Sequence, residues 1–145
     1  MSRRCGIGLM VLILAANGYG QDSEQELKRL EGTWIPSKAE LSGTPFPEAI
    51  VKTMKLELTG EKYTVTVGKD IDRGTIKVDA SKTPKAMDIL GGEGPNKGKT
   101  FLAIYELDGD TLRICYDLNG KARPTEFKTA KGAFTFLVTY QRQKP

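Results

Sequence analysis

The sequence contains no histidine. This absence excludes Ser–His and Cys–His nucleophile pairs and removes the usual ligand of zinc and haem sites. Carboxylate chemistry stays open through Glu106, Asp117 or Glu126, although such residues more often serve as solvated charges on a strand. No nucleophile and base can be named as a pair. The sequence therefore predicts no catalytic residue, no metal site and no cofactor, and it favours a binding or interaction protein over an enzyme.

Cysteine is nearly absent as well, since the chain has two, Cys5 and Cys115. Cys5 falls in a segment that we expect to be removed (below), which leaves Cys115 alone. A single cysteine forms no internal disulfide, so stability has to come from packing. Cys115 lies within an apolar run and has no histidine to activate it, which predicts a buried, inert thiol.

The N-terminal apolar run is too short to span a bilayer. It covers ten residues, Ile7–Ala16, whereas a membrane helix needs about 20. Arg3 and Arg4 precede it and the small residues Gly18 and Gly20 follow it. This order is typical of a signal peptide. We predict a signal peptide over residues 1–20, cleaved after Gly18 or Gly20, and export to the periplasm or the medium with no stable membrane span afterwards.

Cleavage would leave residues 21–145, enough for one domain with its own core and too few for two. The formal net charge is +4, and loss of the two arginines of the signal lowers it to about +2. Basic and acidic residues are interspersed rather than blocked. This pattern does not indicate a nucleic-acid-binding face.

The period of the apolar residues changes after the first ten residues of the predicted domain. Ser23 and Glu26 form a capping box, which predicts a short helix from about Glu24 to Leu30, ended by Gly32. Beyond it apolar and polar residues alternate, and Pro47 opens at most one further helical turn. Eight or nine short alternating strands with tight turns predict an all-β, antiparallel domain. The clearest alternating runs are 54–58, 63–67, 76–78, 101–118 and 134–140.

One hairpin can be assigned a register. In residues 101–118, Asp108-Gly109 indicates a two-residue type I′ turn. That turn would pair Tyr105 with Leu112 and would place an apolar and aromatic stripe on one face. We expect six aromatic residues on the inward stripe: Phe101, Tyr105, Tyr116, Phe134, Phe136 and Tyr140.

The stretch GGEGPNKGKT, residues 91–100, superficially resembles a phosphate-binding loop. A Walker A loop needs a glycine five residues before its Gly-Lys-Thr ending, and Glu93 occupies that position. A strand rather than a helix is predicted to follow. The loop is therefore interpreted as a strand-to-strand connection, and no nucleotide site is predicted.

The motif Gly32-Thr33-Trp34, directly after the predicted helix, resembles the first signature of the lipocalins. In that superfamily the tryptophan plugs one end of an up-and-down barrel and an arginine of the last strand packs over it. Arg142 shares the phase of the inward stripe and is the matching arginine here. Pro36 departs from the usual first strand and calls for a bulge or an edge position. The resemblance thus implies a latch between Trp34 and Arg142.

Five motifs extend this resemblance over about residues 27–142. In order they are LEGTW, PKAMDIL, GPNKGKT, AIYELDGDTLRICY and RPTEF. Together they resemble an uncharacterised lipocalin-like domain family that is abundant in exported proteins of planctomycete bacteria. The resemblance implies a single eight-to-nine-stranded, calycin-type barrel with a short N-terminal helix. It implies no activity, since none is assigned to that family.

Two functions lead, and an enzyme comes third. The first is a binder that holds a small apolar ligand within the barrel, through Tyr105, Tyr116, Phe136 and Tyr140. The alternative is a ligand-free envelope or interaction protein whose barrel is filled by its own side chains, since an eight-stranded barrel accommodates either. Neither reading calls for nucleic acid or nucleotide as a partner, and the sequence does not define the oligomeric state. The volume and lining of the interior would decide between the two.

Overall fold

The computed structural model of the protein describes residues 18–144. Most of the predicted signal peptide, together with Cys5, lies outside the described residues. Among the helices of the described part, none is long and apolar enough to cross a membrane. The first helix, α1, runs from Gly18 to Leu30 and therefore begins six residues before the predicted start.

Nine antiparallel strands and a second, one-turn helix follow α1. Consecutive strands pair with one another from β3 to β9, and β1 pairs with both β3 and β9. These pairings close an eight-stranded barrel, and β2 adds a short ninth strand beside β1. The architecture confirms the predicted fold class. The elements are β1 Gly32–Leu41, β2 Thr44–Pro45, α2 Glu48–Val51, β3 Met54–Thr59, β4 Lys62–Val67, β5 Asp70–Asp79, β6 Lys85–Glu93, β7 Thr100–Asp108, β8 Thr111–Asp117 and β9 Thr135–Arg142.

The up-and-down order fixes two ends of the barrel. Helix α1 and the turns at 60–61 and 109–110 lie where β1 begins, and we call this the closed end. Helix α2, the turn at 68–69 and the loop at 94–99 lie at the opposite end, which we call the open end. The register between β1 and β9 shifts between Pro36 and Lys38. Of the two arrangements predicted for Pro36, a bulge or an edge position, this irregularity confirms the bulge.

The predicted register of the β7–β8 hairpin is wrong by two residues. Tyr105 pairs with Ile114, and the last pair before the turn is Asp108 with Thr111. The turn residues are thus Gly109 and Asp110, and Gly109 has a φ of +58°. Glycine with positive φ at the first turn position is characteristic of a type II′ turn, which places the turn one residue later than the type I′ assignment did. A shift of two residues leaves every side chain on its predicted face.

The capping box predicted at the start of α1 is also wrong. Ser23 lies inside the helix, and its hydroxyl donates to the backbone oxygen of Val78 at 3.3 Å. Glu26 is buried and points into the barrel end, where Lys85 and Tyr105 reach it. Because Ser23 and Glu26 contact the sheet, they dock α1 on the barrel rather than cap it.

A long irregular segment, residues 118–134, covers the outer face of the β6–β8 strands. Arg123 donates to the backbone oxygens of Met87 (3.1 Å) and Ala103 (2.8 Å), two residues that face each other across β6 and β7. Arg123 therefore pins the segment to the sheet. No residue of this segment is in a strand. Under the segment Cys115 is buried, as predicted.

Candidate functional site: a cavity in the open half of the barrel

Trp34 and Arg142 close the barrel beneath helix α1. Trp34 is fully buried, and its indole N–H donates to the backbone oxygen of Leu30 at 2.8 Å. The guanidinium carbon of Arg142 lies 4.3 Å from the centre of the indole ring. The same guanidinium donates to the backbone oxygens of Arg29, at 2.8 Å, and Glu31. Arg142 thus joins the last strand, the tryptophan and the unpaired carbonyls at the C-terminal end of α1.

A buried carboxylate also ties α1 to the closed end. The side chain of Glu26 is 2% exposed and accepts hydrogen bonds from Lys85 Nζ at 2.8 Å and from the Tyr105 hydroxyl at 2.9 Å. Burial by itself raises the pKa of Glu26, but the hydrogen bonds from Lys85 and Tyr105 and the nearby positive charges outweigh burial and lower it. Glu26 is therefore ionised at neutral pH and acts as a structural anchor.

The other half of the barrel is hollow. A cavity of about 460 Å³ extends from the middle of the barrel to the open end. Its volume lies within the range of roughly 300–1,000 Å³ that is typical of small-molecule sites. The walls are mainly aliphatic and come from the inward faces of β3, β5, β6 and β8. Their principal side chains are Leu56, Leu58, Ile76, Met87, Ile89 and Ile114.

Three of the four residues predicted to bind a ligand line this cavity, namely Tyr116, Phe136 and Tyr140. The ring of Phe136 lies between those of Phe46 and Tyr116, with centroids 5.1 Å and 5.9 Å away. Tyr105 does not line the cavity, because it lies at the closed end and is hydrogen-bonded to Glu26. The inward stripe is therefore divided between the two ends. Tyr105 fills the closed end, whereas Tyr116, Phe136 and Tyr140 line the cavity in the open half.

The hydroxyls of Tyr116 and Tyr140 form a polar pair in the cavity wall. Their oxygens are 3.2 Å apart, and within the described chain neither hydroxyl has another hydrogen-bond partner. Burial raises the pKa of Tyr140 to about 12 and that of Tyr116 well above its usual value. Both groups are consequently protonated at neutral pH. Two O–H groups share one mutual hydrogen bond, so one proton remains free to be donated to a molecule in the cavity.

A second polar group holds the loop at the mouth. Asp72 is 9% exposed and accepts hydrogen bonds from the Tyr63 hydroxyl and from Asn96 Nδ2, both at 3.0 Å, and from the Asn96 backbone N–H at 3.3 Å. Asn96 belongs to the loop 94–99, which folds back against the end of β6. A Cβ atom added to Gly91 would lie 1.8 Å from the Asn96 backbone oxygen. The glycines of this stretch therefore permit close backbone packing, and the loop is a strand-to-strand connection as predicted.

Two carboxylates, Asp70 and Asp72, line the mouth from the same strand. The oxygens of Asp72 are engaged by Tyr63 and Asn96, which gives this carboxylate a structural role. In the described part of the chain no group of three or more cysteine and carboxylate side chains is placed to hold a metal ion.

Sequence reasoning missed Glu26, Tyr63 and Asp72. Glu26 was assigned to a helix cap, and Tyr63 was recognised only as the first residue of the alternating run 63–67. Asp72 lies where a bulge shifts the β5–β6 register between Arg73 and Gly74. Asp70 and Asp72 share the phase of Ile76 and Val78, and acids in that apolar phase are the signal that could have identified the site.

No protein-family model, no curated protein and no solved structure matches this chain.

Proposed function

We propose that this protein is an exported binder of a small amphipathic molecule, held in the open half of the barrel. The observation that carries the proposal is the hollow interior of about 460 Å³ with aliphatic and aromatic walls. A barrel that served only as a packed interaction domain would fill this space with side chains, as it does around Trp34, Tyr105 and Leu112, all at most 1% exposed. Export itself follows from the predicted signal peptide.

The polar groups of the wall specify what the ligand carries. The free proton of the Tyr116–Tyr140 pair would bind a hydrogen-bond acceptor, such as a carbonyl, an ether or a carboxyl oxygen. Such a contact orients a ligand whose affinity comes mainly from the burial of apolar surface. A molecule with an apolar body and one acceptor group therefore fits this site better than a pure hydrocarbon.

The arrangement of residues at the closed end supports the proposed resemblance to lipocalin-like barrels. Trp34 of the G-x-W motif opens β1 beneath α1, and Arg142 of the last strand covers its ring at 4.3 Å. This arrangement has the two residues in the places that the resemblance implies. It also leaves the opposite end free for entry of a ligand.

The test is a titration of the purified protein with fatty acids, retinoid-like compounds and fluorescent apolar probes, followed by Trp34 emission and probe fluorescence. We expect a dissociation constant below about 100 μM, which corresponds to roughly −5.5 kcal/mol. A variant with a filled cavity, Ile89→Trp, is the control and should lose binding while it stays folded. Native mass spectrometry of the parent would detect a ligand carried through purification.

If no probe binds below that limit and no ligand co-purifies, the binding function is wrong. Equal binding by the parent and Ile89→Trp would show that the probes associate with another surface.

A further inference from the structure

The large apolar side chains that the barrel leaves exposed are gathered at its open end. In the described part of the chain they are Ile50, Val67, Ile71 and Phe134, each 36–47% exposed. Ile50 belongs to α2, and Val67 and Ile71 flank the turn at 68–69 between β4 and β5. Phe134 directly precedes β9, and Val67 and Phe134 also line the cavity. We call these four residues the apolar rim, because they lie at the end of the barrel that carries the mouth of the cavity.

Positive charge accompanies the apolar rim. Lys69 lies at the tip of the β4–β5 turn, Lys97 and Lys99 lie in the loop 94–99, and Lys121 and Lys131 belong to the segment that leaves β8 and returns to β9. All five are exposed. Within the described residues none of these lysines forms an ion pair, whereas Lys52 and Lys128 are paired with Glu48 and Glu126.

The closed end has the opposite charge balance. Helix α1 with Glu31, together with the turns at 60–61, 80–84 and 109–110, carries six acidic and three basic residues. Both the apolar rim and the unpaired lysines therefore lie at the end that carries the cavity mouth. Such a surface is complementary to a partner that has a negatively charged outer layer and an apolar interior.

We propose that the open end docks on an anionic lipid bilayer. The apolar rim enters the boundary between headgroups and acyl chains, and the unpaired lysines contact the phosphate groups around it. Docking in this orientation sets the mouth of the cavity against the membrane, where amphipathic molecules reside. The surface is defined by the rim and the lysines alone, so its test is independent of whether the cavity holds a ligand.

The experiment measures co-sedimentation of the protein with vesicles of phosphatidylcholine, with and without phosphatidylglycerol. The protein is expressed from the full-length sequence, and its N-terminus is established by mass spectrometry so that all variants share it. We expect binding to the anionic vesicles that weakens as salt is raised, because the screening length falls from about 10 Å at 0.1 M to about 3 Å at 1 M.

Two variants separate the contributions. Lys69→Gln with Lys97→Gln removes two positive charges of the open end, and neither lysine lines the cavity. Vesicle binding should weaken at least about tenfold, since each lysine near an anionic surface contributes roughly 1 kcal/mol. Ile50→Ser with Ile71→Ser should weaken binding while probe binding in the cavity is retained, because neither side chain lines it. Lys28→Gln with Lys82→Gln removes the same charge at the closed end and should leave vesicle binding unchanged.

The proposal is overturned if anionic vesicles are not bound, or if the open-end and closed-end lysine variants lose binding equally. It is also overturned if light scattering shows a dimer that Ile50→Ser with Ile71→Ser converts to monomer, because the rim would then be covered by a second copy of the chain. Loss of vesicle binding with intact probe binding would leave the proposed ligand function standing.

Discussion

The guanidinium of Arg142 covers the indole of Trp34 at 4.3 Å, and the two residues are also direct partners across β1 and β9. One side chain thereby joins the first strand to the last, at the seam where the barrel closes. The glycine of the G-x-W motif fits this arrangement, since Gly32 has a φ of +139° and a Cβ atom there would lie 3.1 Å from Arg142 Nη1.

The first prediction concerns this contact. Arg142→Ala removes a cation–π contact, the packing of the aliphatic stem and hydrogen bonds to two backbone oxygens of the α1 end. We expect the free energy of unfolding to fall by about 1–3 kcal/mol, measured by urea denaturation with Trp34 emission. Arg73→Ala, which removes a long contact of 3.7 Å with the exposed Glu93, is the matched control and should have little effect. Equal midpoints for the parent and Arg142→Ala would show that the contact does not stabilise the barrel.

The second prediction is a pH-dependent loss of stability in Glu26→Gln. The folded pKa of Glu26 is lowered from its ordinary value of 4.5. Its carboxylate therefore contributes stability above pH 4.5, and that contribution is lost as pH falls through the folded pKa. At neutral pH the variant should be less stable by about 1–3 kcal/mol, because two donors lose a charged acceptor.

The measurement for Glu26 is a series of urea denaturations of the parent and Glu26→Gln at decreasing pH. The difference between the two proteins should shrink below pH 4.5. Glu24→Gln, an exposed neighbour on the same helix, should follow the parent throughout. A difference that stays constant with pH would exclude ionisation of Glu26 as its cause.

The third prediction links Arg123 to the protection of Cys115. The Cys115 thiol is buried beneath the segment 118–134, its Sγ atom lies 3.7 Å from the Lys128 backbone oxygen, and burial raises the pKa of the thiol. Arg123→Ala removes the hydrogen bonds that join this segment to the backbone of β6 and β7. The rate at which a disulfide reagent modifies Cys115 should then rise at least about tenfold, since the thiolate is the reacting form and now becomes accessible.

Lys128→Ala provides the control for that experiment, because it deletes an exposed side chain of the same segment and keeps the backbone contact to Cys115. Its modification rate should match that of the parent. If Arg123→Ala reacts no faster than Lys128→Ala, Arg123 does not hold the segment in place.

The fourth prediction tests the role of the tyrosine hydroxyls. Tyr116→Phe with Tyr140→Phe keeps both rings and removes the donor that faces the cavity. The affinity for probes with an acceptor group should fall about three- to tenfold, which is the contribution of one hydrogen bond. The affinity for a hydrocarbon probe of similar size should be unchanged or higher. Equal losses for both kinds of probe would mean that the hydroxyls do not recognise the acceptor.

Local pattern determined most of what could be predicted of the fold. Period-two alternation located β3, β4, β7, β8, β9 and part of β5, whereas β2 and β6 were not among the predicted runs. Pro36 in the first strand called for a bulge or an edge position, and a bulge is observed. The β7–β8 register was misplaced because two neighbouring turns, Asp108-Gly109 and Gly109-Asp110, are each compatible with a two-residue hairpin. Both preserve the same inward face, so the apolar pattern could not distinguish them.

The site was predicted only in part, because its formation depends on contacts distant in sequence. Alternation placed Tyr105, Tyr116 and Tyr140 on one stripe but could not show where along the barrel the interior is filled. That depends on α1, whose Glu26 binds Tyr105 across 79 positions of the chain. Likewise, Arg123 meets Ala103 through an irregular segment that carries no periodic signal. Residues whose role is set by such partners were missed or assigned to local motifs.

The most direct test of the binding function is a crystal structure of the protein with a bromine-labelled fatty acid, located by the anomalous signal of bromine. We expect a bromine peak inside the barrel, among Ile89, Ile114 and Tyr140. Bromine found only on the outer surface, or an interior filled by rearranged side chains, would contradict this expectation.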